Sequence, residues 1–158
     1  MADSPENAPM NAVTKCPGIW FKRPTPESLN HIHKRSAISH LGIHVTEVGD
    51  DYLAATMPVD ERTIQPFGLL HGGSTVLLAE TLGSAASYAC IDGEKYFTVG
   101  IEVNANHIAS ARSGIVTGIA KPLHLGSITH VWEVRVYHES RLICVSRLTT
   151  AICQHRKS

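Results

Sequence analysis

Gln65-Pro-Phe-Gly-Leu-Leu-His71-Gly72-Gly73-Ser-Thr-Val-Leu-Leu-Ala-Glu80-Thr-Leu-Gly-Ser84-Ala-Ala-Ser-Tyr-Ala-Cys90-Ile91 is the stretch on which the fold turns. From Gly72 to Cys90 the apolar residues are too continuous for a half-exposed strand and the segment is too long for a buried one, so it reads as one long helix. Leu69 to Ile91 is also long enough to span a bilayer. It carries Glu80 near its centre, however, and eight Ser, Thr or Gly residues besides, each unfavourable in hydrocarbon. The reading is a buried helix and no membrane association.

Outward from this helix the periodicity changes. On the N-terminal side, Ile43 to Val48 and Tyr52 to Met57 read as strands joined by the turn Gly49-Asp50-Asp51. On the C-terminal side, Phe97 to His107, Ile115 to Pro122, Thr129 to Tyr137 and Leu142 to Ile152 alternate and are separated by Gly-, Ser- or Glu-bearing turns. Thr25-Pro26-Glu27 offers an N-cap, a proline at the first helical position and an early acid, which starts a short helix to about Arg35. A helix apolar nearly all round must be covered on more than one side. The expected architecture is therefore α+β, an antiparallel sheet wrapped around one long central helix, a hot-dog arrangement.

The chain has 158 residues, the size of one domain, with 43% apolar residues and fourteen basic against fourteen acidic side chains. No like-charge run could track a phosphate backbone, which argues against nucleic acid as a partner. Five of the eight prolines fall in the first 26 residues. Residues 1 to about 18 are expected to form a disordered tail, and residues 19 to 158 a single domain. Cys16, Cys90, Cys144 and Cys153 are widely spaced, and the first residues lack the basic and apolar regions of a signal peptide. The expectation is free thiols in a reducing cytoplasm.

There is no Gly-x-Ser-x-Gly elbow, Walker loop, dinucleotide glycine fingerprint or His-Glu-x-x-His in the chain. His31 and His33 lie two apart on a helix and face different ways, so no metal site and no cofactor are expected. Glu80 is the only formal charge between Leu69 and Ile91. A carboxylate carried into an apolar layer is costly unless paired or used. Two readings are open: an ion pair with Arg135 or Lys121 on the sheet, or a general base or nucleophile acting on an acyl group. Gly72-Gly73 is either a sharp start to the helix or an oxyanion site, where bare N–H groups and the helix dipole favour developing negative charge.

Gly72 and Glu80 are eight residues apart, roughly 12 Å along one helix at 1.5 Å per residue, too far to touch one carbonyl group. If both act on it, two antiparallel helices related by a two-fold axis must share the site. The small residues Gly83, Ser84, Ala86 and Ser87 suit close approach to such a neighbour, or equally to the helix's own sheet. Ser84 lies one turn after Glu80 and either orients the carboxylate or relieves packing. Gln65 and His71 flank the helix start, as thioester-directed polar groups or as ordinary loop residues.

These segments, together with Gly100-Ile-Glu-Val-Asn-Ala-Asn-His107 and His124-Leu-Gly-Ser127, resemble hot-dog-fold acyl-CoA thioesterases of the PaaI-like group over about residues 20 to 153. The resemblance implies hydrolysis of an aromatic acyl-CoA, dihydroxynaphthoyl- or hydroxybenzoyl-like, without metal or organic cofactor. It implies Glu80 as catalytic carboxylate, the Gly72 amide as oxyanion donor, Gln65 and His71 as supporting polar groups and Ser84 as helper. It also implies a homodimer, paired into a homotetramer, with coenzyme A held by amides and basic side chains; here Gly126, Ser127, His107 and Arg112 are the candidates. Ala109 stands where relatives can carry a basic residue. A non-catalytic acyl-CoA sensor and a hot-dog enoyl-CoA hydratase are the alternative functions.

Overall fold

The computed structural model describes residues 18–156. Along the chain run α1 (Pro26–Ile32), α2 (Ala37–His40), β1 (His44–Val48), β2 (Leu53–Pro58), α3 (Gly72–Ala89), β3 (Tyr96–His107), β4 (Ile115–Leu125), β5 (Thr129–His138) and β6 (Arg141–Gln154). The strands form one six-stranded sheet in the order β1-β2-β4-β5-β6-β3, antiparallel at every pairing. The sheet curls around α3, which meets five of the six strands. This is the hot-dog fold. No helix among the described residues is long and apolar enough to cross a membrane.

The expected tail falls outside the described residues except for Gly18, whose successor Ile19 donates its N–H to the Asp50 carbonyl at 3.0 Å. Thr25 caps α1 through a capping box with Ser28. The helix ends at Ile32 rather than continuing to Arg35, because Arg35 adopts a positive φ of 58° that a helix cannot accommodate. The short α2 has no counterpart in the sequence reading; four residues are too few to show a period. Strand β4 continues past Pro122 to Leu125, with a register shift between Pro122 and His124 that absorbs the missing N–H.

The core fills the space between α3 and the sheet. Leu78, Leu82, Ala86, Trp132, Val134, Val136 and Leu148 are fully enclosed. Each such aliphatic side chain contributes roughly 1.5–3 kcal/mol by leaving water. The approach is close: a Cβ on Gly83 would lie 2.4 Å from Leu148 Cδ2, and one on Gly118 would lie 2.8 Å from Leu82 Cδ1. One buried polar chain pins the helix in register. Trp132 Nε1 donates to Ser87 Oγ at 2.7 Å, and Ser87 Oγ lies 2.8 Å from Thr150 Oγ1. Gly83, Ala86 and Ser87 thus serve the helix's own sheet, while Ser84 points elsewhere.

Cys90, Cys144 and Cys153 are free thiols, and Cys16 lies outside the described residues. Burial pushes the Cys90 thiol up to about 12, which keeps it protonated and unreactive.

Candidate active site

The sheet covers one side of α3 and the short helices lean on another. A strip through Leu77, Glu80, Ser84 and Tyr88, spaced three and four residues apart, is left half-buried or open. With Leu29, Ile32, Ile38 and Ala85 it forms an apolar groove of about 420 Å³. The Glu80 carboxylate lies in that groove and pairs with no cation among the described residues. Arg135 pairs instead with Glu133 and Lys121 with Asp51, so the ion-pair reading of Glu80 fails. Ser84 Oγ donates to Glu80 Oε1 at 3.0 Å and orients it.

The strand beside the carboxylate makes room for it. A Cβ on Gly100 would sit 2.4 Å from Glu80 Oε1, and the β3–β6 register shifts between Gly100 and Glu102. The sequence reading passed over Gly100. A glycine inside an alternating strand is itself the signal of a bulge or a close approach.

The start of α3 builds a second cavity. His71 is the N-cap, and its Nδ1 accepts the Gly73 N–H at 2.8 Å. One of the two amides expected to be bare is therefore occupied by the protein's own cap. The Gly72 N–H has no acceptor among the described residues, which leaves it as the available donor. A separate pocket of about 410 Å³ brings together Gln65, Gly72, Thr75, His107 and Ala109. Gln65 Oε1 accepts the Phe67 N–H, so its amide NH₂ is the end free to donate. His107 stands directly over Gly72, its Nε2 2.9 Å from where a Cβ would be.

The structure thus brings Gln65, Gly72 and His107 together, with His71 capping the same helix end, and places Glu80 and Ser84 together elsewhere. It does not unite the four residues expected to hold coenzyme A. Arg112 follows Ala111, whose carbonyl accepts the Leu70 N–H beside the Gly72 pocket. Gly126 and Ser127 line a different cavity with Cys90, Asp92 and Tyr96, at the far end of α3. The eleven residues of β4 separate the two groups, roughly 35 Å at 3.4 Å per residue. One chain cannot offer both to one nucleotide.

Residues 67–145 match the profile of the Thioesterase superfamily, and the chain belongs to that family as a thioester hydrolase. Among individual relatives, it is 54% identical over 135 residues to the 1,4-dihydroxy-2-naphthoyl-CoA hydrolase of Escherichia coli K12, covering 85% of this chain and 98% of that one. It is 49% identical over 136 residues to the proofreading thioesterase EntH of Cronobacter turicensis, covering 85% and 98%. A thioesterase of Pseudomonas aeruginosa, solved in a mutant form, superposes with a TM-score of 0.86 at 48% identity over 87% of this chain and all of that one.

Proposed function

We propose that this chain hydrolyses an aromatic acyl-CoA, with Glu80 as general base or nucleophile and the Gly72 N–H as oxyanion donor. The observation that carries the reading is a half-buried carboxylate, paired with no cation among the described residues and held by Ser84 in an apolar groove. Such a group can take a proton from water or attack the thioester carbonyl itself. The Gly72 N–H, aided by Gln65, stabilises the negative charge that then develops on the carbonyl oxygen. His71 acts indirectly, by fixing the first turn of α3. The groove's volume and lining suit a flat apolar acyl group.

The two halves of this machinery open into different cavities of one chain, so the working unit is a homodimer in which each site takes Glu80 from one subunit and Gly72 from the other. The edge of the sheet supports this assembly. β3 is twelve residues long and forms the sheet's outer strand, and Val99, Ile101 and Val103 on it are 42%, 59% and 36% exposed. A long apolar edge is a template for pairing with another strand, and a two-fold β3–β3 pairing sets the two α3 helices antiparallel. The family resemblance adds a further pairing of dimers into a tetramer. Arg112 and His107 meet the nucleotide on the Gly72 side, and Gly126 and Ser127 contribute amides from another subunit. The free thiols suit a reducing cytoplasm.

The test is thiol release from a panel of benzoyl-, hydroxynaphthoyl-, hydroxyphenylacetyl- and straight-chain acyl-CoA thioesters. Higher kcat/KM on the aromatic members is expected. Preference for the straight chains would overturn the aromatic assignment, and binding without thiol release would make the protein a sensor.

A further inference from the structure

His33 lines the same groove as Glu80. It is the C-cap residue of α1, its N–H turned back to the Leu29 carbonyl, and its ring is half-buried. Nδ1 is sealed from solvent and has no hydrogen-bond partner among the described residues. An unpartnered buried nitrogen is unfavourable, and native structures keep few of them.

Two of the other polar groups of the groove are committed within the protein. Ser84 Oγ donates to Glu80, and Thr81 Oγ1 donates to the Leu77 carbonyl at 2.7 Å. The Tyr88 hydroxyl lies against Gly93, at the groove's outer end. Beside Glu80 the groove therefore offers a ligand the His33 imidazole, in a wall shared with Leu29, Ile32, Ile38 and Leu77, and the half-exposed Tyr88 hydroxyl toward Gly93. Burial holds its pKa below the ordinary histidine value, so at neutral pH the ring is uncharged, with one N–H and one lone pair. Nδ1 being sealed, the nitrogen open to a ligand in the groove is Nε2, which bonds no other described residue.

We propose that His33 is a specificity residue that hydrogen-bonds a hydroxyl on the aromatic acyl group and selects hydroxylated over unsubstituted acyl-CoA. The inference rests on the proposed function, since it takes the groove beside Glu80 as the acyl site. A site built to pair a hydroxyl discriminates against the analogue lacking it, because the protein group is then left unsatisfied.

The experiment compares kcat/KM of the wild type, His33→Phe and His33→Gln on benzoyl-CoA and the three monohydroxybenzoyl-CoA isomers, with thermal melts confirming folding. Phe keeps an apolar ring; Gln keeps hydrogen-bonding capacity. In His33→Phe the advantage of the best hydroxylated isomer over benzoyl-CoA should shrink roughly tenfold, benzoyl-CoA turnover should hold or rise, and His33→Gln should retain part of the preference. An unchanged ratio in His33→Phe, or equal slowing of all four substrates, would overturn the proposal while leaving thioester hydrolysis standing. No turnover by the wild type of any of the four, nor of hydroxynaphthoyl- or hydroxyphenylacetyl-CoA, would overturn the aromatic acyl-CoA reading, and the role of His33 with it.

Discussion

The two sides of α3 are built to different standards. Toward the sheet, Leu78, Leu82 and Ala86 are fully enclosed and the buried Ser87 hydroxyl is bonded to both Trp132 and Thr150. On the other side Glu80 and Ser84 share an apolar groove with the half-buried imidazole of His33. The first side is fully packed; the second stays half-open. On the proposed function, stability and chemistry are divided between opposite sides of a single helix, so a substitution on one should barely register on the other.

The largest effect should come from the open side. Glu80→Gln keeps shape and the capacity to bond Ser84 but removes the basic oxygen, so kcat should fall about 10²- to 10⁴-fold with an unchanged melting temperature. Near-normal kcat in the folded variant would break the comparison at its centre.

The mirror experiment is Leu82→Ala on the sheet side. A cavity beside Gly118 should cost about 2–5 kcal/mol by denaturant unfolding, while kcat measured well below the melting temperature should change less than twofold. A large kcat loss in folded protein would mean that the two sides are coupled through the helix.

A smaller signal reports on how the open side is completed. Gly72→Pro removes the donor N–H at a helix position that accepts proline, although its ring must displace His107. Mixed with Glu80→Gln under conditions of subunit exchange, it should yield heterodimers with one doubly defective site and one intact site. Up to half of normal activity per heterodimer should return. If both variants fold and exchange but no activity returns, the site lies within one chain.

The smallest effect distinguishes the sides by pH. His33 beside the groove and His130 on the sheet side both have pKa values pushed below 6.5 by burial. As pH falls below 6.5 the unfolded chain takes up protons that the folded chain refuses. Stability is therefore full above about pH 6.5 and declines until the folded pKa values are passed. His33→Phe should flatten this decline in part, the remainder belonging to His130. A decline unaltered by the substitution would show that His33 is not desolvated in the folded protein.

The fold was legible wherever a period was long enough to count. Eighteen residues of α3 and the alternating burial in β4, β5 and β6 correspond to what the sequence implies, because helix and strand periods follow from backbone geometry alone, while the edge strand β3 is half-open or exposed throughout. Boundaries were less so: Arg35 leaves helical φ, and β4 passes through a proline by shifting register, both settled by neighbours distant in sequence. At the site, the isolation of Glu80 and the eight-residue gap to Gly72 could be read directly, and Ser84 follows from the helical repeat. Which amide His71 takes for its own cap was not visible, since a ring can reach several donors until packing fixes its rotamer.

The sequence by itself determined a long helix carrying one charge, a sheet of alternating strands around it, and a distance between carboxylate and amide that one helix cannot close. These are consequences of local geometry, 1.5 Å per helical residue and a two-residue strand repeat. Only the tertiary structure decided that Arg135 and Lys121 turn away from Glu80, that Gly100 clears space for it, that Arg112 and the Gly126–Ser127 turn lie at opposite ends, and that His33 faces the groove. The Lys121–Asp51 pair, the Gly100–Glu80 approach and the meeting of His33 with Glu80 join residues 20 to 70 positions apart in the chain, and no local period encodes such meetings.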